Sequence, residues 1–178
     1  SALRIVACLF VLSPFAAIAA DPAPPALYAF ENGLGFGTDA EEAAFLKAAG
    51  YAGGSQVHGG DSLAEKVAAY EKEGLRVLSV YRDVAGKGLD ADDLRPLADK
   101  GGLIELTVRK LTPETPVRIR EICLVAEGLG MRVALYPHHG NGVATMPEAM
   151  ELISKVDCPE LGVMFNLCHF LKSENPVD

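Results

Sequence analysis

Three of the four histidines, His138, His139 and His169, stand just past two short apolar runs, residues 132–136 and 161–165. An imidazole titrates near neutral pH, so at such a place it can hold a hydroxyl group or move a proton. Asn166, three residues before His169, adds a carbonyl acceptor and two amide donors, a set suited to a hydroxyl-rich ligand. His58 follows a weaker run and Arg82 follows the run RVLSVY. Each of these two has a plain alternative: His58 can serve a turn with its glycine neighbours, and Arg82 can bind an anionic sugar group or pair with Asp83. Glu31, at the end of the first run, could face the same place. Cys168 has no acid or base partner that the sequence assigns, and reads as a packed small side chain.

The elements that must position these groups repeat. Extended runs begin near residues 27, 52, 76, 103, 132 and 161, separated by 25, 24, 27, 29 and 29 residues. Between them lie helical patterns: Asp39 to Gly50, with Asp39 as N-cap and Glu42 as its capping-box partner; Ser62 to Glu73; Asp90 to Asp99; Pro116 to Gly128; and Met146 to Val156. In the first helix Ala43, Phe45, Leu46 and Ala49 form the expected apolar side. Spacings of this size accommodate right-handed parallel crossovers, so a parallel sheet covered by helices is expected, with the chemical residues at its carboxyl edge. A (β/α)8 barrel takes roughly thirty residues per unit, and six units do not close one. The expectation is an incomplete (β/α)8 TIM barrel of about six βα units over residues 27–178, with residues 170–176 as a loop and no helix over the sixth strand. A complete, open six-stranded sheet is the alternative. Unpaired edges should favour association, including a homo-oligomer.

Composition bounds the partners. The chain has 178 residues, 49% hydrophobic, with a formal net charge of −8. That charge disfavours nonspecific attraction to nucleic acid or anionic lipid. Arg4, the apolar run 5–13 and the small residues Ala17-Ile18-Ala19 read as a signal peptide over residues 1–19, implying an exported, periplasmic or secreted protein with no membrane partner after cleavage. Residues 20–26 then form a proline-rich lead-in. Cys8 leaves with the peptide; Cys123, Cys158 and Cys168 remain, an odd number without close spacing, so at most one pair could form. Neither a phosphate loop nor Gly-x-Ser-x-Gly is present. The glycines at 33, 35 and 37 lack the full dinucleotide spacing, which disfavours a nicotinamide enzyme.

The stretches LYPHHGNGVATMPEAMELI (135–153) and LGVMFNLCHFLK (161–172) resemble the fifth and sixth βα units of the xylose isomerase-like TIM barrels, closest to the branch of inosose dehydratases and sugar isomerases. The resemblance implies a sugar or polyol isomerase or epimerase, working by proton transfer beside a carbonyl at the carboxyl face. It also implies one divalent metal, Mn, Co, Mg or Zn, held by glutamates ending strands five and eight, an aspartate ending strand six and a histidine on strand seven. Here the strand-five position falls at Tyr136 and the strand-six position at Asn166, while His169 matches a substrate-contacting histidine. Asn166 and His139 are the candidate ligands that remain, a weaker set than two carboxylates. The alternative is a noncatalytic carbohydrate-binding barrel that has lost its metal. Activity is expected of the full-length form and little of these units alone. A nuclease of the same superfamily is disfavoured by the acidic charge.

Overall fold

The computed structural model describes residues 24–58 and 62–174. The expected signal peptide, the first part of the lead-in, Gly59 and Gly60 beside His58, and the tail from Asn175 lie outside the described residues.

Among the described residues seven short strands run in sequence order: β1 (Tyr28–Phe30), β2 (Gly53–Ser55), β3 (Arg76–Val77), β4 (Ser79–Asp83), β5 (Leu103–Thr107), β6 (Arg132–Leu135) and β7 (Gly162–Val163). Every pairing is parallel, and each strand pairs with its neighbour in the sequence, in the orders β1-β2-β3 and β4-β5-β6-β7. β3 and β4 are halves of one extended segment. At the break, the Leu78 amide donates to the Gly54 carbonyl (2.8 Å) while its carbonyl accepts from Leu103 (3.0 Å), so this residue passes from one sheet to the next. A bridge between Val57 and Val80 joins the sheets on the same line. The six expected extended runs are therefore six adjacent staves of one curved wall. Within the described residues the wall stays open.

Helices α1 (Asp39–Ala48), α2 (Leu63–Lys72), α3 (Ala91–Leu94), α4 (Thr115–Gly128), α5 (Met146–Lys155) and α6 (Leu167–Ser173) fill the connections, α3 running on into a 3-10 turn at Arg95–Leu97. None of the described helices is long and apolar enough to cross a membrane. The core lies between wall and helices: Ile104, Leu106 and Leu135 from the strands meet Leu46, Val67, Tyr70, Leu94, Ile119, Ile122 and Leu152. Strand residues one place along point the other way, into the barrel, because side chains alternate along a strand. The parallel register sets Ser79, Tyr81 and Asp83 beside Leu103, Glu105 and Thr107, and Glu105 beside Ala134.

Three local expectations are corrected. Thr38, not Asp39, caps α1, its side chain accepting from the Glu41 amide, and this one-residue shift turns Glu42 inward to a buried ion pair. Phe45 is correspondingly exposed, its ring packed on Phe36 at 5.1 Å. The third lies after β7, where a helix forms in place of a loop because the Asn166 side chain caps it, accepting from the His169 amide at 3.1 Å. By contrast, the Thr145-Met146-Pro147-Glu148 start of α5 is a complete capping box. Strand β2 looks weak in sequence because it carries two glycines, and both are required. A Cβ on Gly53 (φ +153°) would lie 1.8 Å from the Arg76 carbonyl oxygen, and one on Gly54 2.8 Å from the Tyr70 hydroxyl.

Candidate functional site

The strand ends gather a line of aromatic rings across the carboxyl rim. His58, just after the Val57 bridge, packs edge-on against Tyr81 of β4 at 5.3 Å, and Tyr81 against Tyr136, the residue following β6, at 5.5 Å. Tyr136 in turn meets His169 of α6 at 5.7 Å, and His169 lies against His138 with ring centroids 3.8 Å apart. Groups from four of the six staves, those of β2, β4, β6 and β7, therefore share one rim, as expected for the carboxyl edge of a parallel barrel.

Beneath the rings lie hydrogen bonds that start inside the barrel. Glu105, 2% exposed in the middle of β5, accepts from the Ser79 hydroxyl at 2.5 Å and from the Gln56 side-chain amide. Burial pushes the Glu105 carboxyl above its ordinary range, against the opposing effect of those two donors. The Gln56 side chain also lies close enough to the Tyr136 phenol to oppose the rise of its pKa. It can turn inward because its backbone adopts φ +55°, rare outside glycine, with its amide held by the Ser79 Oγ at 2.8 Å. Asn166 Nδ2 donates to the Tyr136 hydroxyl at 2.6 Å, and burial raises the phenol's pKa despite that donor. The Tyr136 oxygen thus accepts from the Asn166 amide and keeps its own proton to give away.

His169 completes the arrangement. Its Nδ1 is buried without a hydrogen-bond partner. Burial lowers its pKa, and the neighbouring His138, Lys172 and His139 lower it further, which favours the neutral ring. His138 Nδ1 pairs with the His139 carbonyl oxygen at 2.8 Å. His139 is exposed, on the same rim but turned outward, with Nδ1 3.1 Å from the Ser173 hydroxyl of α6. The sequence expectation that two neighbouring staves bring imidazoles together is thus met by His138 and His169, with His139 beside them.

His58 and Arg82 divide their work. The His58 ring is exposed, Nε2 lying 3.2 Å from Asn32 Oδ1, while its backbone amide donates to Glu31. Arg82 is buried and donates to the carbonyls of His58 and Tyr81, both at 2.9 Å, which fixes where the rim begins. Glu31 is held in turn by Lys66 of α2 at 2.6 Å, and the same ammonium reaches Glu42 at 2.9 Å and Asp39 at 3.2 Å. Glu42 also accepts from the Tyr70 hydroxyl at 2.5 Å.

Residues 117–178 match the family described as the xylose isomerase-like TIM barrel. That match covers the last third of the chain, and the parallel staves in sequence order carry the same architecture through the rest. The fold is that of a xylose isomerase-like TIM barrel.

Two solved structures superpose on this barrel. One is the probable 3-DHS dehydratase AsbF, involved in petrobactin synthesis, from Bacillus anthracis: 18% identity, TM-score 0.60, 80% of this chain and 64% of that one. The other is a xylose isomerase-like TIM barrel protein from Mycobacterium smegmatis in complex with magnesium: 15% identity, TM-score 0.53, 74% of this chain and 57% of that one. The chain thus spans less than two thirds of either relative. No curated protein matches it.

The metal that the family implies does not fit the donors at this rim. No group of three His, Cys, Asp or Glu able to hold an ion occurs among the described residues. Asn166 Oδ1 is engaged by the His169 amide and its Nδ2 by Tyr136, and His139 faces Ser173. A hard cation calls for several free oxygen donors, with carboxylates foremost.

Sequence reading missed Glu105, Gln56 and Tyr81. A lone acid inside Leu-Ile-Glu-Leu-Thr, in phase with Thr107 and out of phase with Ile104 and Leu106, was the available signal. For Gln56 no local signal exists, since its role depends on an unusual backbone angle.

Proposed function

We propose that this rim binds a small polyhydroxylated ligand, a sugar or polyol, and that His169 exchanges a proton at a carbon beside the ligand's carbonyl, the step common to isomerases and epimerases. The observation carrying the proposal is the pairing of a neutral imidazole, with one buried nitrogen left unmatched, and a phenol whose proton is free to donate. In the reaction the imidazole accepts the proton from carbon, and the electron pair moves to the carbonyl oxygen. Tyr136 donates a hydrogen bond to that oxygen as it gains charge. Return of the proton, at the same carbon or its neighbour, completes epimerisation or isomerisation. His58, His138, His139 and Asn166 supply hydroxyl contacts or hold those that do. Arg82 acts as a positioning residue through the His58 carbonyl.

A second reading is a noncatalytic sugar-binding barrel. The mutual bond between Tyr136 and Asn166, at the places where the family carries carboxylates, favours it.

Proton NMR in deuterium oxide separates the two. On the proposal, the full-length chain with a panel of aldoses and ketoses washes deuterium into the position next to the carbonyl. His169→Gln slows this by about 100-fold or more, as loss of a general base does. The rate should fall with falling pH as His169 becomes protonated, its midpoint lying below that of an ordinary histidine. Binding without exchange selects the second reading, and neither binding nor exchange overturns both.

A further inference from the structure

At the opposite end of the barrel from the aromatic rim, Cys123 and Cys158 lie together. Cys123 sits on the inner face of α4 and is buried, while Cys158, in the turn between α5 and β7, is half-buried against the same core. Both line one groove of about 430 Å³ with Met131, Arg132 and Val133 at the entry to β6. The turn is fastened to α4 one helical turn away, where Arg120 donates to the Asp157 carbonyl oxygen at 3.0 Å and to the Asp157 carboxylate. The two thiols border the same groove, near enough that Cys158 helps to raise the Cys123 thiol's pKa. Cys168, the remaining described cysteine, is exposed on α6 at the rim.

We propose that Cys123 and Cys158 are a disulfide-forming pair that ties α4 to the α5–β7 turn when a small-molecule disulfide serves as oxidant. Cys158, the more accessible sulfur, attacks the oxidant as thiolate, breaks its S–S bond and releases one thiol. Cys123 then loses its proton to water, attacks the Cys158 sulfur and displaces the second thiol. Two protein thiols are oxidised and one external disulfide is reduced to two thiols. Burial and the Cys158 neighbour push the Cys123 thiol up to about 12, so the second step is the slow one and speeds up as pH rises. The link closes a loop between residues 123 and 158 on the face where parallel barrels keep stability rather than chemistry.

The test is incubation of the folded full-length chain with oxidised glutathione, followed by alkylation and peptide mapping by mass spectrometry. The expected product is a Cys123–Cys158 linked peptide, about 2 Da lighter than the two thiol peptides together. It should form faster at pH 9 than at pH 7. The melting temperature should rise by roughly 5 °C or more and return on reduction. Cys123→Ser should instead trap glutathione on Cys158. Linkage of either residue to another cysteine, glutathione left on Cys158 of the unmodified sequence at pH 9, or two unreacted thiols would each overturn the pairing.

Discussion

Glu105 is the residue on which the interior of the site turns. An acid this deep keeps its place only because Ser79 and Gln56 donate to it. Its pKa is raised, so the folded state holds the proton more tightly than the unfolded state does. The associated stability is full below the unfolded carboxyl value of about 4.3 and falls as pH climbs through the folded value. Glu105→Gln, which cannot ionise, should remove that contribution. Urea midpoints between pH 4 and 8 should therefore show the variant gaining on the wild type as pH rises; parallel curves would mean that Glu105 titrates normally.

At the scale of elements, the wall was legible because its information is local. Apolar runs with a period near 27 residues mark strands wherever they pack, and six starts read from sequence lie within a residue or so of the six observed. Boundaries that depend on distant partners were not legible. Thr38 and Asp39 are both good caps, and what decides between them is Lys66, 24 residues beyond Glu42, which draws that carboxylate inward. The helix at Leu167 was hidden because Asn166 reads equally well as a ligand contact and as a cap. The rim histidines were visible as strand-end residues, but the stacking of His138 rather than His139 on His169 depends on a turn that the sequence does not specify. Lys66 also ties α2 to β1 and, through Glu31, to the His58 amide. Lys66→Met leaves the buried Glu42 and the half-buried Glu31 and Asp39 without their cation and should cost about 3–5 kcal/mol, as loss of one partner in a buried pair does. Chemical denaturation measures this, and a change below about 1 kcal/mol would show the cluster to be solvated instead.

Taken whole, the molecule sets the cysteine pair and the proposed ligand site at opposite ends of the barrel axis. The amino end carries the Cys123 and Cys158 groove beside the strand entries, and the carboxyl end carries the rings and amides. The staves between them are rigid parallel strands, so a ligand at the rim meets groups whose spacing the backbone sets. Nuclear magnetic resonance of the imidazole nitrogens during titration with keto sugars and polyols tests the rim directly. The account predicts that at least one such ligand shifts the His169 and His138 resonances together and saturably, and that Asn166→Ala weakens the binding about tenfold or more while the protein stays folded. Saturable binding of a sugar that leaves both imidazoles unmoved would place the site elsewhere and contradict it.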